Sequence, residues 1–261
     1  MADLKHVPPY PPAHGLLKDK TVLITAAAGT GIGYAVAKRS VEEGAHVMVS
    51  DIHEERLRQA VENIQEATGV RPVHALCNVT QQEEVEALFQ AAERELGKVD
   101  VLINNAGLGG TADIREMRDD QWHAVLDVTL NGTFRMVREA FRRMQGQGGV
   151  IVNNASVLGW RAQKGQAHYA AAKAGVMALT RCAGVEGAEL GIRVNAVAPS
   201  LAMHAFLHKV TTPELLAELA AKEAYGRPAE VWEVANVMIF LASDYSTYMT
   251  GETISVSSQR A

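Results

Sequence analysis

A chain of 261 residues with 48% hydrophobic and 21% charged side chains is ordinary globular material, long enough for one α/β domain or two small ones with a sizeable core. Its net charge of −5, with cations dispersed among acids, excludes the concentrated basic footprint of a nucleic-acid binder. Cys77 and Cys182 lie too far apart to suggest a disulfide framework or a metal site, no apolar run reaches bilayer length, and no signal-peptide core is visible, which together fit the cytoplasm.

Residues 1–16 contain Pro8, Pro9, Pro11 and Pro12. They read as an extended tail over the surface, an oligomer contact being the alternative. From residue 17 onward, short β-branched runs alternate with helical patterns. "KTVLIT" is a strand, "GYAVAKRSVEEGA" a helix and "HVMVSD" a strand. Next come helix "EERLRQAVENIQEA", strand "RPVHAL", helix "QQEEVEALFQAAEREL" and strand "VDVLIN". A long helix over 119–144 leads to "GGVIVNNAS", and a helix over 165–187 leads to strand "IRVNAVA". Such alternation requires right-handed crossovers, and strands apolar throughout require helices on both faces. The prediction is a single-domain, doubly wound parallel sheet over 17–261. The rhythm breaks near 200–225, where a small helical lid is expected, with Pro213 starting a helix after Thr211 or Thr212. A plain helical hairpin is the alternative for that segment.

The turn from the first strand into the first helix carries Gly29, Thr30, Gly31, Ile32 and Gly33. Glycines there let backbone N–H groups approach a pyrophosphate at a helix N-terminus. Asp51 ends the second strand, eighteen residues after Gly33, followed by Ile52. A carboxylate in that place accepts from ribose hydroxyls and repels the extra phosphate of NADP, so NAD is the expected cofactor. Capping the next helix is the alternative use of Asp51.

The string Tyr-x-x-x-Lys occurs twice, at Tyr34–Lys38 and at Tyr169–Lys173. The first follows directly on the glycine turn and reads as structural, with Lys38 solvated. The second has Ser156 at a strand end thirteen residues before the tyrosine. Abstracting an alcohol proton at neutral pH needs a tyrosine below its usual value near 10, and an ammonium one helical turn away lowers it.

These residues resemble the short-chain dehydrogenase/reductase family. "AAAGTGIG", "NNAG", the Ser/Tyr/Lys set and "YMTGETISV" fall in that family's order over nearly the whole chain. The resemblance implies a Rossmann fold, a dinucleotide cofactor and a homotetramer or dimer. It also implies that Lys173 and Tyr169 lie at the nicotinamide ribose and that Ser156 holds the substrate oxygen. Asn105, Ala106 and Gly107, and also Pro199 and Ala202, would line the cofactor.

The chain departs from the family at named places. Ala26 and Ala27 replace Thr and Gly in the turn, and alanine fits if its φ is negative. Asn78 replaces an aspartate, its amide oxygen expected to accept from adenine with Val79 against the ring. The family's catalytic asparagine sits five residues before a phenylalanine; in "DVTLNGTF" that position is Thr129, expected to hold the same water more weakly, and Asn131 points elsewhere. Ser200 and His204 alter the segment after the sixth strand, and "VSSQRA" replaces a glycine-rich terminus.

Trp160 offers a flat apolar wall, Arg161 and Lys164 offer contacts for an anion, and the lid adds Phe206 and His204, the latter meeting the cofactor or an anionic substrate or standing as a plain surface histidine. A bulky apolar alcohol bearing a carboxylate or coenzyme A thioester suits them, although Arg161 and Lys164 as solvated loop charges is the alternative. "GVIVNNASVLGWRAQ" with "HYAAAKAGVMALTRC" resembles, more narrowly, dehydrogenases of actinobacterial cholesterol breakdown that act on the C/D-ring (hydrindane) propionate. The expected activity is NAD-dependent oxidation of a secondary alcohol. The alternatives are a ketoacyl-type reductase and a nucleotide-sensing protein without turnover.

Overall fold

The computed structural model describes residues 5–203 and 212–259. Its sheet has seven parallel strands in the order β3-β2-β1-β4-β5-β6-β9: β1 Thr21–Ile24, β2 His46–Asp51, β3 Val73–Leu76, β4 Val101–Asn104, β5 Gly149–Asn154, β6 Ile192–Pro199 and β9 Thr253–Val256. The crossovers are α1 Ile32–Glu42, α2 Glu54–Thr68, α3 Gln82–Leu96, α4 Asp119–Leu126, α5 Gly132–Met144 and α6 Ala167–Ala188. The order reverses between β1 and β4, and a crevice at their carboxyl ends is where ligands bind in such sheets.

Strand alternation divides the core into two layers. Val22 and Ile24 of β1, Val47 and Val49 of β2, and Val101 and Ile103 of β4 pack with α1 and α2. Their neighbours Leu23, Met48 and Leu102 face the other way, onto α3 and α5. Each of these three strands is therefore buried on both faces, which explains its apolar sequence.

Pro213 starts α7 (Pro213–Lys222), and Thr212 caps it by accepting from the Leu215 N–H. A short ladder joins β7 (Ala202–Met203) to β8 (Ala229–Glu230), which leads into α8 (Val231–Ala242). His204 and Phe206, with most of the expected lid apex, lie outside the described residues.

The helix expected over 119–144 is not uniform. One wider turn, Asp127–Asn131, with π-helical hydrogen bonding separates α4 from α5. The extra residue shifts the phase of everything before it relative to the core-facing stripe of α5, and such turns cluster at functional sites.

The proline-rich tail is held to the surface by a buried ion pair. Glu43 is fully buried and Arg39 nearly so, their charges 2.7 Å apart. Glu43 also accepts from the His14 and Leu16 N–H groups, while Arg39 donates to the Pro11 and Pro12 carbonyls. Burial works to raise the Glu43 pKa, but those amides and the guanidinium outweigh it and hold the carboxyl below its ordinary value. Tyr10 stacks edge-on against Trp232 of α8 and lies under Lys38, whose ammonium is 4.6 Å from the ring centre. Lys38 also pairs with Glu42, so it is half-buried rather than solvated.

Replacing Glu43 with alanine leaves buried Arg39 with only the more distant Glu42 carboxylate, 3.9 Å away. It should cost about 3–5 kcal/mol in chemical denaturation at pH 7, in the range found for breaking a buried pair.

Candidate active site

The residues singled out in the sequence converge at the carboxyl edge of β1, β4 and β5. Thr25 ends the first strand, and its hydroxyl accepts from the N–H groups of Asn105 (3.0 Å) and Ala106 (3.1 Å). The Asn105 amide donates to the Ala26 carbonyl at 2.9 Å, and its oxygen accepts from the Asn154 amide at 2.9 Å. Three strand ends are thus pinned together. Deeper in the sheet, Asn104 donates to Asn153 and Asn153 to Thr180, a buried polar chain across β4, β5 and α6.

The glycine turn leaves the first strand through a strained residue. Ala26 has φ of +51°, not the negative value expected for alanine, and the left-handed region costs a residue with a Cβ about 1–2 kcal/mol. The bond from Asn105 to the Ala26 carbonyl helps hold that conformation. Gly33 then packs so closely that a side-chain carbon would lie 2.3 Å from the Ala26 oxygen and 2.5 Å from the Asn105 amide nitrogen. Gly31 stands at the N-cap of α1, and among the described residues no side chain caps that helix. A cradle that a Cβ would fill, opening on an uncapped helix N-terminus, fits a dinucleotide pyrophosphate.

Asp51 lies under this turn. One carboxylate oxygen accepts from the Ala28 N–H at 3.2 Å and the other from His53 N–H at 3.0 Å. Burial raises its pKa, with the Ala28 amide pulling the other way. His53, not Asp51, is the N-cap residue of α2. Ile52 beside it is exposed, free to meet a ligand face.

Asn78 and Val79 are engaged otherwise than expected. The Asn78 oxygen accepts from both the N–H and the hydroxyl of Thr80, leaving its amide nitrogen for a ligand. Val79 is buried, and its methyls lie where a side chain on Gly132 would have to be, so it packs on α5 rather than standing open to a ring.

Ser156 caps a single 3-10 turn (Val157–Gly159), its oxygen accepting from Leu158 N–H at 3.2 Å. Tyr169 and Lys173 lie one turn apart on α6, the ammonium 5.5 Å from the centre of the phenol ring. Lys173 is buried and donates to the Asn154 carbonyl. Burial pushes its pKa down to about 8. Burial also raises the Tyr169 pKa, against a smaller lowering by the Ser156 hydroxyl. The lysine alone therefore does not bring the phenol toward neutrality, contrary to the expectation from spacing: both groups are desolvated together.

Thr129 is fully buried at the centre of the π turn, and its hydroxyl meets the backbone of Leu108. Asn131 points away and bonds Asp127. Gly107 sits between Thr129 and Lys173, a side-chain carbon there falling 3.7 and 3.5 Å from their polar atoms. Pro199 ends β6, and Ala202 is buried on β7.

Trp160 is 52% exposed at the mouth. Arg161 is bound by the side chain of Gln259, so the chain's last described residue reaches the Ser–Tyr loop. A groove of about 340 Å³ runs beside the site between Ala112–Ile114 and Ala162–Ala170, with Lys164 in its lining. Thr25, Asn154, Gln166 and Gln259 were not anticipated. The polar ends of "LITA" and "VNNAS", in otherwise apolar strands, were the available signal for the first two. Among the described residues no cluster of His, Cys, Asp and Glu could hold a metal, and no helix is long and apolar enough to cross a membrane.

Comparisons with known proteins agree with this geometry. The family model described as enoyl-(acyl carrier protein) reductase matches residues 26–258. A Mycobacterium tuberculosis protein named (5R,7aS)-5-hydroxy-7a-methyl-1-oxo-2,3,5,6,7,7a-hexahydro-1H-indene-carboxyl-CoA reductase is 57% identical over 248 residues, 94% of this chain and 95% of that protein. A 3-oxoacyl-[acyl-carrier-protein] reductase of Thermotoga maritima is 38% identical, over 92% of this chain and 97% of its own. The crystal structure of a short chain dehydrogenase from Mycobacterium smegmatis superposes with a TM-score of 0.88 at 51% identity, covering 99% of this chain and 100% of that one.

Two consequences can be measured. Gly33→Ala forces the Ala26 carbonyl and Asn105 apart, and dinucleotide affinity should fall more than tenfold, about 1.4 kcal/mol or more, in fluorescence titration. For Lys173, the folded chain gives up its proton near pH 8, whereas the unfolded chain holds it into the ordinary lysine range. The unfolded state therefore binds more protons in that window, and stability from this site rises with pH across it. Lys173→Met should raise the stability of the free protein at pH 7, by no more than about 3 kcal/mol, and the gain should shrink by pH 10 in parallel melts.

Proposed function

The chain belongs to the short-chain dehydrogenase/reductase family, a classical Rossmann-type oxidoreductase fold, and from that premise we propose that it is an NAD-dependent oxidoreductase interconverting a secondary alcohol and a ketone on a bulky apolar acyl-CoA, such as a steroid-ring degradation intermediate. The observation that carries the reading is the meeting of Ser156, Tyr169 and Lys173 beside a glycine cradle floored by Asp51.

Each residue has a defined task. Ser156 donates its proton to the substrate oxygen and fixes it against Tyr169. Tyr169 takes the hydroxyl proton in oxidation and returns it in reduction. Lys173, positioned by the Asn154 carbonyl, presents its remaining N–H groups to the nicotinamide ribose and its charge to the phenol. The bound dinucleotide supplies the hydride acceptor or donor. Gly29 to Gly33 hold its pyrophosphate, with Asn105 to Gly107, Pro199 and Ala202 along its length. Asp51 keeps lone pairs for the adenosine ribose, and its carboxylate disfavours a 2′-phosphate. Trp160 supports a flat apolar ring at the mouth.

The substrate class rests on the 57% identical relative, whose name specifies a carboxyl-CoA on a hexahydroindene ring and reduction as its direction. The residues alone favour oxidation, and the same groups serve both directions. The protein acts in the cytoplasm as a homodimer or homotetramer in this reading.

Turnover with NAD and NADP, on that hydroxy-oxo-hexahydroindene-carboxyl-CoA and its oxidised counterpart, tests the proposal. NAD(H) should be preferred, and Asp51→Ala should shift the kcat/KM ratio toward NADP about tenfold or more. Tyr169→Phe should abolish turnover and keep NADH binding. Rates no higher than on simple secondary alcohols would overturn the ring-thioester substrate, and preference for a straight-chain 3-ketoacyl thioester would favour the ketoacyl-type alternative.

A further inference from the structure

Thr129 stands where the family resemblance sets an asparagine, and its surroundings give it a different task. Its hydroxyl accepts from the Leu108 N–H at 3.0 Å and donates to the Leu108 carbonyl at 3.2 Å. A hydroxyl has one proton, so in this arrangement none is left to donate to a water or to Lys173. Leu108 begins a short wall, residues 108–112, whose far end is fastened as well. The Gln166 amide donates to the Gly110 carbonyl at 2.8 Å, and the Ala112 N–H donates to the Gly165 carbonyl at 3.0 Å. Between the fastenings, Gly109 faces the catalytic phenol: a side-chain carbon there would lie 3.9 Å from the Tyr169 ring. Leu108 itself is 41% exposed, an apolar surface turned outward beside the site.

We propose that Thr129 is a positioning residue that sets the 108–112 wall beside Tyr169, the surface on which a substrate ring seats, and that it carries no proton. The ring-seating part rests on the functional reading above; the fastening of the wall does not.

The test uses the full-length protein carrying Thr129→Val, Thr129→Ser or Gln166→Ala. Hydrogen exchange of the 108–112 segment, measured without substrate, should quicken at least about three- to tenfold in the valine variant, the range for one ordinary hydrogen bond where two are lost, and return toward wild type in the serine variant. Gln166→Ala should loosen the same segment from its other end. With the hexahydroindene-carboxyl-CoA pair, Thr129→Val should raise KM by a similar factor, leaving NADH affinity and the pH profile of kcat in place. Unchanged exchange in both the valine and Gln166→Ala variants would overturn the wall. A shifted kcat pH profile with unchanged KM would overturn it in favour of a proton-relay role. Should the valine variant not fold, Thr129→Cys, a weaker donor of similar size, is read by the same criteria. If the wild type turns over neither substrate, the functional reading fails, while the exchange measurement still decides the fastening.

Discussion

One side chain, Asn105, holds the two halves of the site in register. Its amide reaches the strained carbonyl of Ala26 and its oxygen takes the amide of Asn154. The main chain of Asn154 in turn receives Lys173. The glycine cradle and the lysine of the proposed catalytic set therefore share one hydrogen-bonded frame, and moving either end strains the other. In a buried setting each of these groups costs more unpaired than paired, so the frame has a single arrangement that satisfies it.

Electrostatics at this frame run against the simplest view of a tyrosine activated by a neighbouring lysine. Desolvation raises the phenol and lowers the amine together. A dry pocket strengthens every charge later brought into it, which is where such a pair becomes useful: burial disfavours the charged form of both groups and leaves the remaining polarisation to what binds.

The fold was legible because it follows from periodicity. Unbroken apolar strands between amphipathic helices permit few arrangements, and the glycine turn, Asp51 and the Ser156–Tyr169–Lys173 spacing could be placed on it residue by residue. Less legible were matters that depend on one extra residue or one distant partner. The wide turn at Asp127–Asn131 has no sequence marker, yet it decides where Thr129 points. The Asn78 oxygen looked available until Thr80 was seen to occupy it, and the positive φ of Ala26 could not be read from an alanine. The tail's anchors were hidden because Arg39 and Glu43 resemble any other charged pair on a helix.

The tie between Arg161 and Gln259 joins positions 98 residues apart, and it follows β9, the strand that completes the sheet edge against β6. Ser258 beside it bonds the buried Glu223 at the end of α7. The glycine cradle and Asp51, by contrast, lie within the first three strands. The cradle is completed by Asn105 at the end of β4, 79 residues from Ala26, whereas the rim that would receive a substrate waits for the last strand to pair. Completion of the reaction site is in that sense a report that the whole domain has closed.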